Sequence, residues 1–278
     1  MEVIEYKITY KRPDIFYLYP FFDIHLGANE SAEKELGKKV VECANRGRFG
    51  LAMGGGDWCE CITSKDPRWR TNGLAPWVEK RNIIDSERRR IREIFKPITE
   101  QKQLICIGTG NHEEEIHRRH DDDIIRNLCS DMQVKYAGYQ AFIVLKFYRA
   151  KRMTHTLIIH SWHGSGSAQS EGGRLMRLVR LVNDIQADIY LMGHLHTMTS
   201  YTPDRLLHRD GRVRSTKLAA TICGSWLKTY NQPDEGEIQD PTYGEEKGYK
   251  PSRIGMPLIR IEPDNYNNPY EQEFIIES

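Results

Sequence analysis

Five short polar motifs, each at or just beyond the end of an apolar run, carry the side chains that could do chemistry in this sequence. They are DIH at 23–25, GGGD at 54–57, GTGNHE at 108–113, HSWHG at 160–164 and GHLH at 193–196. Carboxylate, imidazole and amide groups suit Mn²⁺, Fe or Zn²⁺ as ligands. One such motif is weak support for a metal site, but five in succession are strong support.

The apolar runs in front of these motifs predict strands, and charged segments of helical period lie between them. Strands are predicted at 15–22, 49–53, 103–107, 141–148, 156–160 and 187–192, and later at 216–224, 256–261 and 272–277. Helices are predicted at 31–46, 78–97, 114–129 and 171–185. In open α/β sheets, ligands bind beyond the carboxyl ends of the strands, so we expect the five motifs to meet at one rim of the sheet.

The backbone of the first and last motifs is predicted to be extended. In Asp23-Ile24-His25 and His194-Leu195-His196, alternate residues would then point to the same side and the middle residue would face the core. Glycines beside the polar residues allow tight turns and a close approach of the backbone.

The order of elements predicts a mixed α/β fold of the α+β type, with a mixed sheet or two packed sheets and helices outside. We treat residues 1–278 as a single domain. Gly, Pro, Asp and Glu predict long loops at 58–76, 198–215 and 228–254.

Composition excludes several classes of protein. The net charge of +1 does not demand nucleic acid or membrane as a partner. The N-terminal residues lack the apolar core of a signal peptide, and no apolar run is long enough to span a bilayer. The six cysteines are scattered, which favours reduced thiols. We therefore expect a cytoplasmic protein without a membrane partner.

The absence of thiolate from the five motifs argues against a structural zinc site. An aspartate that bridges two ions would instead create a two-metal centre. Such centres hold the attacking and leaving oxygens of an in-line displacement at phosphorus.

The order D-x-H, G-D, G-N-H-E, H-G and G-H-x-H resembles the calcineurin-like metallophosphoesterase superfamily over roughly residues 15–200. The resemblance implies a β-sandwich of two mixed sheets flanked by helices, with a dinuclear metal site at the strand ends. It implies two divalent ions, with Mn²⁺ expected first and Fe, Zn²⁺ or Ni²⁺ as alternatives. The implied ligands are Asp23, His25 and His196 for the first ion, Asp57 for both, and Asn111, His163 and His194 for the second.

The resemblance also implies a general acid, His112, which would protonate the leaving oxygen. A carboxylate beside it would help it to hold a proton near two cations. Glu60 matches the family position for this partner, and Glu113 is the alternative.

The second motif departs from that of the serine/threonine phosphatases, which carry G-D-x-x-D-R-G. In GDWCECI, Glu60 replaces Asp and Cys61 stands where a phosphate-binding arginine would be. This departure argues against a protein phosphatase. Phosphodiesterases and nucleases of the family often lack that arginine, which favours a phosphodiesterase or nuclease on DNA or RNA. The layout also looks like small phage and bacterial members described as repair exonucleases. A phosphomonoesterase or nucleotidase on a small metabolite is the alternative, and an inert metal-binding scaffold is the third class.

Three assignments stay open in the sequence. His163-Gly164 matches the H-G motif, which favours His163 over His160 as the ligand. Arg174 opens the helix after that motif and could bind substrate phosphate. The loop DPRWRTNGLAPW could contact single-stranded nucleic acid or pack back on the body. The sequence does not determine the oligomeric state.

Overall fold

The computed structural model describes residues 1–70, 72–168, 170–209, 211–230, 241–264 and 273–277. The α-helices are α1 (Glu33–Asn45), α2 (Ile83–Glu100), α3 (Asn111–His120), α4 (Ile124–Met132), α5 (Glu171–Asp184) and α6 (Tyr243–Lys247). The first strands are β1 (Glu2–Thr9), β2 (Phe16–Phe21), β3 (Gly50–Gly55), β4 (Leu104–Gly108), β5 (Lys135–Gly138), β6 (Gln140–Arg149) and β7 (Arg152–Trp162). The later strands are β8 (Ile189–Met192), β9 (Met198–Tyr201), β10 (Asp204–Arg209), β11 (Arg212–Lys217), β12 (Ala219–Cys223), β13 (Leu258–Glu262) and β14 (Glu273–Glu277).

Two six-stranded mixed sheets form the body of the protein. The first has the order β1-β6-β7-β8-β12-β9, and the second has the order β14-β13-β2-β3-β4-β5. Strands β2, β3, β4 and β5 are parallel neighbours, as are β7, β8 and β12. Because parallel neighbours end at the same edge, each sheet sends several strand ends to one side.

The sheets pack face to face, and helices cover their outer faces. The core between them contains residues from both sheets, such as Leu18 of β2 and Ile159 of β7. Alternate residues of β2 face outward, where Phe21 meets Phe95 of α2 in an edge-to-face contact. Helix α5 covers the other sheet through Leu178. The predicted fold class, two mixed sheets flanked by helices, is confirmed.

The structure corrects several predictions of secondary structure. Strand β1 was not predicted, although it pairs with β6 over its whole length. The predicted helix 114–129 is two helices, because Asp121 ends α3 in the left-handed conformation. The predicted loop 198–215 contains β9 and most of the β10–β11 ribbon. The predicted loop 58–76 contains no helix or strand in the part of it that is described. The predicted loop 228–254 contains the short helix α6, and its residues 231–240 lie outside the described residues.

None of the helices in the described ranges combines the length and apolar character needed to cross a membrane. The single-domain organisation and the cytoplasmic location stay predictions.

Candidate metal centre

The five motifs converge where strands of both sheets end. Asp23 and His25 follow β2, Asp57 follows β3, and Asn111 is the first residue of α3 after β4. From the other sheet, His163 follows β7, and His194 and His196 follow β8. The candidate ligand atoms of these residues form two groups that share Asp57. The predicted rim is therefore present.

The backbone at these residues is not extended, which corrects the sequence-based prediction. Positive φ angles of 46° to 69° occur at five predicted ligands, namely Asp23, His25, Asp57, His194 and His196. This left-handed conformation is uncommon for residues other than glycine, and it clusters at functional sites. Tight turns, rather than an alternating strand, direct both side chains of D-x-H and H-x-H to one side. The intervening Ile24 is fully buried in the core, as predicted, whereas Leu195 is only half-buried and packs against the core.

The first group of candidate ligands comprises Asp23, His25, Asp57 and His196. The Nε2 atoms of His25 and His196 are 3.0 Å apart, and Oδ2 of Asp57 lies 3.7 Å from Nε2 of His25. Oδ1 of Asp23 is 3.8 Å from Nε2 of His196. Four ligand atoms thus face a shared point.

The second group comprises Asp57, His163 and His194, and Asn111 lies within it. Oδ1 of Asn111 is 3.0 Å from Nε2 of His163 and 2.8 Å from Nδ1 of His194. Oδ2 of Asp57 is 3.3 Å from Nε2 of His163. This division of residues matches the one that the resemblance implied, and ligation itself stays a prediction.

The residues present fit a pair of cations. Oδ1 of Asp23 is buried without a hydrogen-bond partner, and a buried carboxylate oxygen of this kind is costly unless a cation or donor satisfies it. Backbone groups also fix the ligand orientation. The Nδ1–H of His163 donates to the carbonyl of Gly55 at 3.1 Å, and this bond turns Nε2 toward Asp57.

Burial and crowding shift the pKa values of the candidate ligands in opposite directions. Burial raises the pKa of Asp23 to about 7. Burial also acts to raise the pKa of Asp57, but the charges of His163 and His112 outweigh it and hold that pKa well below its ordinary value. The pKa of His25 is about 9, because its bond to Glu60 and the charges of nearby carboxylates outweigh burial. The raised pKa of His25 means that a cation would compete with a proton at this residue.

The carboxylate of Glu60 bonds to His25 rather than to His112. Oε2 of Glu60 accepts from Nδ1 of His25 at 2.8 Å, whereas its distance to Nδ1 of His112 is 3.9 Å. His112 instead donates from Nδ1 to the backbone carbonyl of Glu60 at 2.5 Å. Nε2 of His112 accepts from Nη1 of Arg68 at 2.9 Å. Glu60 therefore contacts His112 through its backbone carbonyl as well as through the longer contact of its carboxylate, and the predicted role of this pair stays a prediction.

Glu113, the alternative partner of His112, holds the loop that carries Asp57. Its carboxylate is buried and accepts four backbone N–H groups, from Asp57, Trp58, Cys59 and Gly110, at 3.1, 2.6, 3.0 and 2.8 Å. Burial and the charge of Asp57 raise the pKa of Glu113, and the bonds from the backbone oppose this shift. Glu113 therefore organises the backbone and makes no side-chain bond to His112 among the described contacts.

His160 lies inside β7, apart from both groups of candidate ligands. Its side chain is buried, burial lowers its pKa to about 4, and its Nε2 lies 2.7 Å from the amide nitrogen of Gln140.

Arg174 also lies apart from the cavity in front of the two groups. Its guanidinium contacts the carbonyl of Ala168 and, at 3.4 Å, the hydroxyl of Thr197. The substrate role of Arg174 stays a prediction without support from this geometry.

A cavity of about 280 Å³ opens in front of the candidate ligands. Its lining combines residues of both groups with basic and apolar side chains that include Arg68, Lys228, Trp69, Leu74, Leu227 and Tyr249. The sequence predicts a role for the loop DPRWRTNGLAPW as a whole but none for Arg68 alone. The sequence signal that points to Arg68 is the clustering of basic and aromatic residues in the loop that follows Asp57.

A second buried cluster lies beside the centre. Cys59, Cys61 and Glu87 place one sulfur or oxygen atom each within 4.8 Å of one another. Oε2 of Glu87 accepts the N–H of Cys61 at 3.2 Å, and Oε1 has no hydrogen-bond partner. Burial raises the pKa of Glu87 well above its ordinary value. The carboxyl of Glu87 is therefore protonated at a higher pH than an exposed one.

Comparison with known proteins does not establish a family for the chain. No family model matches, and no curated protein matches. Among solved structures, a conserved uncharacterized protein from Streptococcus pneumoniae TIGR4, titled a predicted phosphoesterase, is similar at 12% identity and a TM-score of 0.34, with 95% of this chain and 98% of that chain covered. GAP50, titled the anchor in the inner membrane complex of Plasmodium, is similar at 11% identity and a TM-score of 0.38, with 95% and 89% covered.

Proposed function

We propose that the protein is a calcineurin-like metallophosphoesterase that hydrolyses phosphate esters at a dinuclear metal centre. One observation carries this proposal: two groups of candidate ligands share Asp57, and both groups contribute residues to the lining of one cavity, together with His112. When bound, two divalent cations would supply Lewis acidity that activates water and neutralises charge on phosphoryl oxygens. Mn²⁺ is the proposed ion, with Fe, Zn²⁺ and Ni²⁺ as alternatives.

The residues of the chain have distinct tasks in this proposal. Asp23, His25 and His196 would hold one cation, Asn111, His163 and His194 would hold the other, and Asp57, which belongs to both groups, would serve both. His112 keeps a proton on Nδ1 through its bond to the carbonyl of Glu60, so Nε2 is the atom that exchanges a proton with the leaving oxygen. Glu60 orients His25 through Nδ1 and leaves Nε2 of His25 for the cation.

The proposed substrate is a phosphodiester, with DNA or RNA as the leading class. Support comes from the apolar and aromatic lining of the cavity, where Trp69 and Tyr249 offer surfaces for a ring. A phosphomonoesterase or nucleotidase is the second candidate. The observation that favours it is Arg68, a guanidinium in the cavity that could meet a terminal phosphate although position 61 is cysteine.

Hydrolysis of bis-p-nitrophenyl phosphate and p-nitrophenyl phosphate by the Mn²⁺-loaded protein tests the proposal. Cleavage of single- and double-stranded oligonucleotides should accompany activity on the diester. His112→Asn should lower kcat by roughly 10²- to 10⁴-fold without loss of metal, because it removes a general acid. Asp184→Asn, at an exposed position of α5, serves as the control and should leave turnover unchanged. A metal-loaded protein that cleaves none of these esters would contradict the proposal and favour an inert scaffold.

A further inference from the structure

Arg68 is the basic side chain that contacts the proposed general acid. Its Nη1 lies 2.9 Å from Nε2 of His112, and it lines the same cavity as Asp57 and Asn111. Because Nε2 of His112 faces the leaving oxygen in the proposed function, a group that bonds to this atom stands next to the reacting phosphoryl group.

Asp66 fixes the guanidinium in place from the opposite side. Oδ1 of Asp66 accepts from Nε of Arg68 at 3.0 Å, and Oδ2 accepts from Nη2 at 2.9 Å. Oδ1 also accepts the backbone N–H of Arg68 at 2.8 Å, which closes a small turn. This two-pronged bond occupies one edge of the guanidinium and leaves Nη1 for the cavity, so little side-chain entropy is lost when an anion binds.

The position at which the phosphatase motif carries arginine cannot supply a cation in this chain. Cys61 stands at that position, is buried, and donates its backbone N–H to Glu87. A positively charged side chain that binds phosphate must therefore come from another segment of the chain.

We propose that Arg68, positioned by Asp66, is the residue that binds the phosphoryl oxygens of the substrate. This inference rests on the proposed function and deepens it, because it assigns the phosphate subsite to the loop after Asp57. Nη1 of Arg68 gains a stronger bond when its acceptor is a negatively charged phosphoryl oxygen instead of a neutral imidazole nitrogen. The exchange of acceptors also frees Nε2 of His112, which then takes up a proton from solvent and donates it to the leaving oxygen.

Binding of inorganic phosphate to the Mn²⁺-loaded protein, measured by calorimetry, tests the subsite apart from turnover. Arg68→Ala should weaken phosphate binding roughly 10- to 100-fold, because bonds to charged groups are lost. Metal content should stay equal to that of the parent protein. Arg68→Lys keeps the positive charge but loses the forked guanidinium, so its phosphate affinity should lie between those of the parent protein and Arg68→Ala. Asp66→Asn should weaken binding less than Arg68→Ala, because it loosens the guanidinium without removing it.

Arg118→Ala is the matched control. This arginine is exposed on α3, pairs with Glu114 and does not line the cavity, so phosphate affinity should not change. Phosphate affinity of Arg68→Ala within twofold of the parent, or loss of metal from that variant, would overturn the subsite while the proposed function stands. If the parent protein takes up no metal and cleaves no ester, the proposed function fails and the subsite fails with it.

Discussion

Replacement of Glu113 by glutamine should destabilise the protein and disorganise the candidate metal centre together. The carboxylate accepts two backbone N–H groups on each oxygen: Asp57 and Gly110 on Oε2, and Trp58 and Cys59 on Oε1. A glutamine side chain has one carbonyl oxygen and one amide nitrogen. Two of the four N–H groups would therefore face a donor instead of an acceptor.

The expected loss of stability follows from those two bonds. A hydrogen bond to a charged group contributes about 1.5–3 kcal/mol, so the loss of two predicts a fall of about 3–6 kcal/mol in the free energy of unfolding. Water cannot replace the lost bonds, because Glu113 is only 1% exposed. Since Asp57 is one of the donors, Mn²⁺ affinity should fall as well.

Urea unfolding at pH 7 with EDTA measures the stability without a contribution from bound metal. Glu114→Gln is the control, because Glu114 is the next residue of α3 and pairs with Arg118 at the surface. That change should cost about 0–1 kcal/mol, as exposed ion pairs do. A loss below about 1 kcal/mol for Glu113→Gln would refute the assignment of four charge-assisted bonds to this side chain.

Three further predictions concern neighbouring groups. His163→Ala should lose one of two bound Mn²⁺ ions by elemental analysis while His160→Ala keeps both, since only His163 faces Asp57; the reverse result would exchange their roles. Glu60→Gln should weaken Mn²⁺ binding roughly 10- to 100-fold in a metal titration, because it weakens the bond that orients His25, and an unchanged affinity would contradict this role. Glu87→Gln should stabilise the protein more at pH 8 than at pH 5 in urea unfolding. Because burial raises the pKa of Glu87 in the folded state, the protein with Glu87 loses stability as pH rises from the unfolded-state pKa toward the folded-state pKa. An equal effect of Glu87→Gln at pH 8 and pH 5 would argue against a buried carboxyl.

Local sequence determined much of the fold because the period of apolar residues is a local property. The runs before Asp23, Asp57 and Asn111 form the parallel strands β2, β3 and β4, close to the predicted bounds. Strand β1 was missed because its exposed charged residues alternate with few apolar ones, and its partner β6 is more than 130 residues away in the chain. The β10–β11 ribbon was missed because it has exposed apolar residues such as Leu206 and Val213 on a surface rich in charge.

The candidate site, like the fold, has features that the local sequence predicts and features that depend on distant contacts. Residue types and their order in five motifs were enough to predict which side chains meet at the rim, because each motif follows its own strand. The left-handed backbone at Asp23 and His194 was not predictable from these motifs, since long-range bonds such as that from the N–H of His194 to Oδ2 of Asp23 stabilise it.

The sequence by itself determined which types of side chain stand at the strand ends: two carboxylates, an amide and four imidazoles, which suit divalent cations. Only the tertiary structure decided how the supporting residues are used. It placed Glu60 on His25, Glu113 under the backbone of Asp57, and Arg68 on His112. The physical reason is that ligand type is a property of single residues, whereas hydrogen-bond partners depend on loops whose conformation is set by contacts between distant parts of the chain.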